Sequence, residues 1–226
     1  MTFEGFPPPA LPFFKALAFH QTKEWFEENR ETYERAVKGP MGDLIDEAAE
    51  RLAKAKIPIK GDRKSSLLRI HRDVRFSNNK DPYRTTLGAA MTRSGAKGDP
   101  GVLYFHLSPR GCFFGAGFYH PDPPQLAKLR AAAARTPKLF KQMTAKLKAD
   151  GLSLSEEDAL KRPPRGFQAI EDPEIVASLR LKNFICLQPV LEERIHAPAL
   201  VDDFCAFASH SLPLLKWGWD ALAGSR

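Results

Sequence analysis

The amino-acid sequence predicts an α+β fold, formed by a single domain over residues 1–226 with an antiparallel sheet at its centre. Helical periodicity fills the first fifty-odd residues, the period changes to that of strands in the middle, and helical patterns return after residue 122. Helices, then antiparallel strands, then helices form the order of an α+β domain. The chain contains no repeat, no low-complexity tract and no linker long enough to separate two domains.

Three helices are predicted before residue 55. The first is short and begins near Pro12, because proline fits the first turn of a helix. Thr22 is suited to cap the second helix, which Gly39-Pro40 is expected to end. That helix carries a stripe of residues at helical spacing, namely Phe26, Arg30, Tyr33 and Val37. The third helix has one apolar stripe, formed by Leu44, Ile45, Ala48, Ala49 and Leu52.

Five strands are predicted, over residues 66–71, 87–92, 102–108, 112–119 and 183–187. Pro109-Arg110-Gly111 is a three-residue hairpin signal between the third and the fourth. Apolar residues fall on both sides of these two strands, as in the central strands of a sheet that is covered on both faces. The 102–119 hairpin is therefore predicted to form the centre of the sheet. Gly115 and Gly117 indicate a bulge or a close backbone approach there.

Helices are predicted again in the second half of the chain, packed with the N-terminal helices around the sheet. Asp122, Pro123 and Gln125 form an approximate capping box at the start of a helix that reaches residue 135. Two further helices have the same kind of start, at Thr136-Pro137 and Asp172-Pro173. A last apolar helix begins at about Pro198 and is expected to be kinked or split at Pro213.

Composition and charge exclude several classes of protein. Thirty-four Lys and Arg against 27 Asp and Glu give a formal net charge of +7, which favours only weak, salt-sensitive attraction to nucleic acid. No helix-turn-helix, zinc-finger or RNP-type motif is present, so sequence-specific DNA binding is not expected. No apolar run approaches the length of a transmembrane helix, and Glu4 stands where a signal peptide needs basic charge, so no membrane partner is expected.

Cysteine and histidine spacing predicts no metal and no other cofactor. The three cysteines are far apart and form no CxxC pair, so they are predicted to be reduced thiols of a cytoplasmic protein. The histidines His71, His106, His120 and His196 lack the spacing of metal ligands. The phosphate-loop patterns are absent as well, so no nucleotide class is implied. No serine, cysteine or carboxylate pair has the context of a catalytic group, and no catalytic residue is predicted.

The densest functional candidate is the segment from Arg69 to Arg84. Residues 63–84 hold seven basic and two acidic side chains, a net charge of +5. If residues 66–71 form a strand, the cations that follow lie in a loop at its end, where binding groups are commonly held. Guanidinium groups bind phosphate or carboxylate in bidentate geometry. We therefore predict a concave anion-binding surface formed by Arg72, Arg75, Lys80 and Arg84.

A second basic motif, residues 161–167, is too rich in proline to be the interior of a helix. Its cations are predicted to complete the anion-binding surface, and they are Lys161, Arg162 and Arg165. The alternative is a surface connection whose arginines cap the C-terminal ends of helices. A second tier of candidates has polar groups that need partners or a ring that can stack on a ligand, namely Asn29, Arg30, Asp73 and Tyr83.

Three functions remain open at this point. The first is the binding of a small anionic ligand, with or without catalysis on it. The second is weak, non-specific nucleic-acid binding through basic helices such as that of residues 123–150, which carry seven basic and one acidic side chain, a net +6. The third is a protein-interaction module without chemistry. For the arginine segment itself, the structural alternative is an ion-pair network with Asp73 and with the helix residues Glu27 and Glu31.

Several stretches of the chain resemble one family. They are FEGFPPPALPFFKAL and WFEENRETYE within residues 3–34, RIHRDVRFSNNKDPYRTT at 69–86, GFYHPDPPQLAKLR at 117–130, LKRPPRGF at 160–167 and LRLKNF at 179–184. In this order they are similar to the family called domain of unknown function 2461, found in bacteria and fungi. The resemblance implies one α+β domain of about this length, and it assigns no activity, cofactor or catalytic residue. The chain departs from the family pattern at His20-Gln21-Thr22, where relatives tend to carry asparagines.

Overall fold

The computed structural model describes residues 2–224 of the chain. Their contacts define two compact units. The first unit comprises Met1–Lys97, Tyr104–Phe114 and Pro189–Ala206, and the second comprises Gly98–Leu103, Gly115–Gln188 and Phe207–Arg226. Helices and an antiparallel sheet are both present, which confirms the predicted α+β class. That the whole chain is one domain stays a prediction.

Helices occupy the predicted stretches before residue 55, and the second predicted helix is interrupted at Asn29. Helix α1 is Ala10–Phe19, α2 is Lys23–Glu28, α3 is Arg30–Tyr33 and α4 is Gly39–Lys54. Thr22 caps α2, because its hydroxyl accepts a hydrogen bond from the Trp25 N–H at 3.3 Å. The buried stripe of α4 follows the predicted spacing and contains Met41, Leu44, Ile45, Ala48 and Leu52.

The prediction that Gly39-Pro40 ends the second helix is wrong. A π-helical turn over Glu34–Lys38 joins α3 to α4, and the Gly39 N–H reaches back five residues to Glu34 O. Pro40 has no N–H for an ordinary helical hydrogen bond, and its ring would clash with the carbonyl one turn before it. The wider π turn accommodates that ring, so the chain stays helical through the proline.

The sheet formed by the described residues has four strands in the order β1-β2-β3-β4. Strand β1 is Leu87–Thr92, β2 is Val102–Leu107, β3 is Cys112–Phe118 and β4 is Phe184–Val190. The predicted hairpin is thus confirmed as the central pair, β2 and β3. In the first unit, the core includes four phenylalanines whose ring centroids lie between 5.1 and 6.3 Å apart, namely Phe6, Phe105, Phe114 and Phe204.

The predicted strand over residues 66–71 is not formed. The segment pairs with β1 through an isolated antiparallel bridge between Leu67 and Ala89. A few residues later it has changed partner, because His71 forms a bridge with Tyr83 instead. An antiparallel ladder needs several residues of the strand paired in register with the same neighbouring segment. The change of neighbour therefore prevents a regular strand and turns the chain from the sheet edge into the arginine-rich segment.

Capping residues set the starts of the helices in the second unit. Helix α5 is Pro123–Arg135, α6 is Pro137–Ala149 and α7 is Pro173–Arg180, as predicted. Asp122 and Gln125 form a full capping box, in which the Gln125 N–H donates to the Asp122 carboxylate at 2.7 Å and the Asp122 N–H donates to the Gln125 side chain at 3.2 Å. Asp172 caps α7 by accepting hydrogen bonds from two backbone N–H groups.

The last helices are α8, Glu192–Ile195, and α9, Leu200–Ala223. The helix is not split at Pro213, because α9 continues through the proline as one helix, and a kink at this position stays a prediction. Proline removes one helical hydrogen bond. Burial on both sides of Pro213 offsets that loss, since the residues around it are at most 1% exposed, namely Phe207, Ala208, Ser211, Leu214 and Leu215.

Candidate functional site

The arginine loop, which we define as residues 72–84, is closed at both ends by backbone hydrogen bonds. The Arg72 N–H donates to Pro82 O at 2.8 Å, and the Arg84 N–H donates to Ile70 O at 2.7 Å. The chain between these two bonds is irregular. The first and the last cation of the loop therefore have fixed backbone positions, while Arg75 and Lys80 lie on the segment between them.

Tyr83 joins the arginine loop to the helices. Its backbone bridges His71, and its ring stacks on Phe26 of α2 with the centroids 4.4 Å apart and the planes 13° from parallel. The Tyr83 N–H donates to Gln21 Oε1 at 3.0 Å, and Gln21 Nε2 donates to Leu17 O at 2.9 Å. Burial raises the pKa of the Tyr83 phenol, so this hydroxyl stays protonated at neutral pH. Tyr83 therefore fixes the end of the loop against α1 and α2.

Arg30 and Glu27 form a charged pair close to Tyr83. The Arg30 guanidinium donates to both carboxylate oxygens of Glu27, at 2.7 and 2.5 Å, and lies 5.5 Å from the centroid of the Phe26 ring. The hydrogen bonds to Arg30 lower the pKa of the Glu27 carboxyl, and the same pairing raises the pKa of Arg30. The charge of Glu27 also raises the pKa of Tyr83. The structure thus brings Arg30 and Tyr83, two of the second-tier candidates, to the same side of the first unit.

Asn29 does not join this group. Its Nδ2 donates to the backbone oxygen of Trp25 in α2, four residues earlier, at 2.9 Å. The residue ends α2 and precedes α3, so its amide satisfies a backbone carbonyl at a helix junction.

The cations inside the arginine loop have local partners. Arg75 donates to the two oxygens of Asp73 at 2.9 and 2.6 Å, and both side chains are exposed. This pairing raises the pKa of Arg75 and lowers that of Asp73. Lys80 Nζ donates to Val74 O at 3.1 Å. Asp73 is the remaining second-tier candidate. It neutralises Arg75 and does not pair with the other cations of the loop.

The two arginines at the ends of the loop have no carboxylate partner in the described part of the chain. Arg72 Nη2 makes one long hydrogen bond, to Ser77 Oγ at 3.4 Å. The Arg84 side chain is exposed, and its guanidinium has neither a hydrogen bond nor an ion pair with any residue of 2–224. A guanidinium has five N–H donors, so most of the donors of both residues are available to a ligand.

Ion pairs neutralise only part of the local charge. Of the seven cations in residues 63–84, two pair with a described carboxylate: Arg75, and Arg63, which binds two aspartates of α4 at 2.6 and 2.5 Å. Glu27 of α2 pairs with Arg30 of α3, and neither Glu27 nor Glu31 pairs with the loop. Five cations are thus without a carboxylate among the described residues: Lys64, Arg69, Arg72, Lys80 and Arg84.

The second basic motif lies in the second unit. Its three cations, Lys161, Arg162 and Arg165, are exposed and form no ion pair with a residue that the structure describes. The backbone there is irregular, as predicted, and Gly166 has a positive φ of 96°. The two basic motifs belong to different compact units, and their joint action on one ligand stays a prediction.

A hydrogen-bonded pair on strand β2 was missed by sequence reasoning. The Tyr104 hydroxyl and His106 Nδ1 are 3.0 Å apart, and the His106 ring stacks on Phe113 with centroids 4.7 Å apart. A Cβ at Gly88 would lie 2.2 Å from the Tyr104 hydroxyl oxygen, so a larger residue there would require the Tyr104 ring to move. Residues two apart on a predicted strand share a face, and this signal was available from the sequence.

We expect His106 to make the stability of the protein depend on pH. Burial lowers the pKa of His106 in the folded state, so the unfolded chain takes up a proton first as pH falls. The resulting stability is fully present above the unfolded pKa of about 6.5 and is lost as pH falls through the folded pKa. Urea unfolding at about pH 7.5 and about pH 5.5 should therefore show a smaller loss of unfolding free energy for His106→Gln than for wild type.

The control is the matched variant of an exposed histidine, His20→Gln, which should lose as much unfolding free energy between the two pH values as wild type. An equal loss in His106→Gln and wild type would contradict the role of His106.

The described residues offer no metal centre, and their thiols are protonated at neutral pH. No group of three or more His, Cys, Asp or Glu within residues 2–224 is arranged to hold a metal ion. Cys112, Cys186 and Cys205 are thiols that form no disulfide, and burial raises the pKa of Cys186 to about 12 and that of Cys205 to about 11. No helix within residues 2–224 has the length and apolar character needed to cross a membrane.

The fold and the motifs together define the class of protein as an α+β member of a sequence family. A family model with the description "Conserved hypothetical protein (DUF2461)" matches residues 9–217, which include both basic motifs. The chain belongs to this family, as the sequence resemblance implied. No curated protein and no solved structure matches it.

Proposed function

We propose that the protein binds a small anionic ligand, one that carries phosphate or carboxylate, on the arginine loop. The observation that carries the proposal is the charge balance: Arg72, Lys80 and Arg84 share one loop and have no carboxylate partner among the described residues. Like charges at this density repel each other unless an anion compensates them. Charge-assisted hydrogen bonds from guanidinium groups are the strongest that a phosphate or a carboxylate can accept.

The backbone of the loop supports binding by limiting the entropy that a ligand must overcome. The N–H groups of Arg72 and Arg84 are both held by hydrogen bonds, and Tyr83 between them is buried against Phe26. The backbone at Arg72 and Arg84 is therefore already held before an anion binds, which lowers the entropy cost of ordering their side chains. In this proposal Arg75 and Lys80 add positive potential to the loop, and a contribution of Lys161, Arg162 and Arg165 to the same ligand stays a prediction.

We also propose that the protein acts in the cytoplasm of a bacterial cell. Three cysteines that form no disulfide, two of them buried, support a reducing compartment. Catalysis is not part of the proposal, because no group in the arginine loop has the partners of an activated acid, base or nucleophile.

Binding is tested by isothermal titration with inorganic phosphate, citrate and adenosine monophosphate. We expect at least one of these probes to bind, and we expect Arg84→Gln to weaken it by about tenfold or more, because a hydrogen bond to a charged group is lost. The control is Arg135→Gln, which removes the same charge from an exposed position of the second unit and should leave the affinity unchanged. A third variant, Arg165→Gln, should weaken binding only if the two basic motifs act together.

Two results would overturn the proposal. The first is equal affinity of wild type and Arg84→Gln for every probe that binds, or the absence of binding by all three. The second is a large loss of stability in Arg84→Gln without ligand, which would show that the guanidinium has a structural partner. Affinity for oligonucleotides alone, with a steep loss as salt rises, would favour non-specific nucleic-acid binding instead.

A further inference from the structure

The second unit contains a cavity that is separate from both basic motifs. It has a volume of about 130 Å³ and lies between α6, α7 and the segment that follows α6. At about 30 Å³ for each water molecule in the liquid, this space equals about four waters. Much of its wall is apolar and comes from Phe140, Leu147, Leu154, Ala177 and Leu181. Its size and wall therefore suit an organic molecule of a few non-hydrogen atoms with an aliphatic part.

Glu174 is the polar group that distinguishes this cavity. It lies in the first turn of α7, and its Oε1 accepts a hydrogen bond from the hydroxyl of Thr144, at 2.6 Å. Thr144 is buried at 7% exposure, so this hydrogen bond holds one carboxylate oxygen of Glu174 against the wall, while the Glu174 side chain itself is half-buried. No cation among residues 2–224 forms an ion pair with Glu174, and the nearby Lys141 is bound to Asp172 instead.

The charges that line the cavity sum to −1. They are the carboxylates of Glu156 and Glu174 and the ammonium group of Lys148. Glu156 has a distant ion-pair partner, Arg180, at 3.9 Å. The start of α7 contributes about half a positive charge near Glu174, which compensates its carboxylate only in part. A half-buried carboxylate with no full counter-charge favours a cation in the space beside it.

We propose that this cavity binds a small primary ammonium compound with a short aliphatic chain. The ammonium group donates to the free oxygen of Glu174, and the chain contacts the apolar wall. A carboxylate ligand would meet a net negative lining, and a neutral alcohol of the same size would leave Glu174 without a counter-charge. The inference stands on the cavity and is independent of anion binding at the arginine loop.

The test uses three probes of similar size on the full chain: n-butylammonium, n-butanol and n-butyrate. Ligands of this size bind weakly, so the titration is followed by the amide NMR signals of Thr144, Ala177 and Ser178 at millimolar probe concentration. We expect n-butylammonium to shift these signals and to bind at least about tenfold more tightly than the other two probes. We expect Glu174→Gln to weaken it by about tenfold or more, whereas Glu171→Gln, an exposed acid outside the cavity, should leave it unchanged.

A second variant tests the cavity without changing its charge. Ala177→Val fills part of the space and should also weaken n-butylammonium. The proposal is overturned if n-butanol binds as tightly as n-butylammonium, if n-butyrate is preferred, if Glu174→Gln and Ala177→Val both keep the wild-type affinity, or if none of the three amide signals moves.

Discussion

Replacing Phe26 with alanine is expected to lower the free energy of unfolding by about 3–5 kcal/mol and to release the arginine loop. The side chain is 1% exposed, and its ring lies between those of Tyr33 and Tyr83, with centroid distances of 5.4 and 4.4 Å. Truncation removes an aromatic ring from a packed core and leaves a cavity that its neighbours fill only in part. Because Tyr83 stacks on this ring, the end of the loop loses the surface that positions it.

Hydrogen exchange distinguishes the loss of overall stability from the release of the arginine loop. The amides of Arg72 and Arg84 form the bonds that close the loop, so their exchange reports how often the loop opens. The matched control is Phe204→Ala, which removes a fully buried ring that packs on Phe105 and Phe114 in the same unit. We expect a similar loss of stability in urea for both variants and faster exchange of the two loop amides in Phe26→Ala only.

The role of the aromatic stack would be contradicted by one pattern of results. If the loop amides of Phe26→Ala and Phe204→Ala exchange at equal rates at matched stability, the stack does not position the loop. Anion affinity then gives an independent measurement, since we expect it to fall in Phe26→Ala and to persist in Phe204→Ala while both remain folded.

The parts of the fold that depend on neighbouring residues could be predicted from the sequence. Thr22 and Asp122 cap helices through contacts three residues away, and the Pro109-Arg110-Gly111 turn specifies the central hairpin locally. The continuation of the helix past Pro40 could not be predicted, because a π turn leaves no clear pattern in a single sequence.

In the candidate site, too, some features could be predicted from the sequence and others could not. The density of cations between residues 63 and 84 is visible in the sequence, but the choice of partners is not. Glu27 is taken by Arg30 three residues away, and Asp73 by Arg75 two residues away, so short local pairs decide which cations remain available. The contact that holds the loop, between Gln21 and Tyr83, joins residues 62 positions apart and requires the fold to be known.

Replacing Gly117 with alanine is expected to destabilise the protein by about 4 kcal/mol or more, because two independent costs add at this position. Its φ of +127° is a backbone conformation that L side chains rarely adopt. A Cβ there would also lie 2.1 Å from the carbonyl oxygen of Phe184, so β3 and β4 would have to separate where they pair.

The hairpin turn provides a control that isolates the backbone cost of this substitution. Gly111 has a similar φ of +134°, but no atom lies within 4 Å of the position where its Cβ would stand. We therefore expect Gly111→Ala to lose only the strain, about 1–3 kcal/mol, in the same urea unfolding experiment. The excess loss in Gly117→Ala measures how closely β4 approaches β3. A difference of less than about 1 kcal/mol between the two variants would mean that β4 moves aside at little cost, and the close approach at Gly117 would then not be required for the sheet.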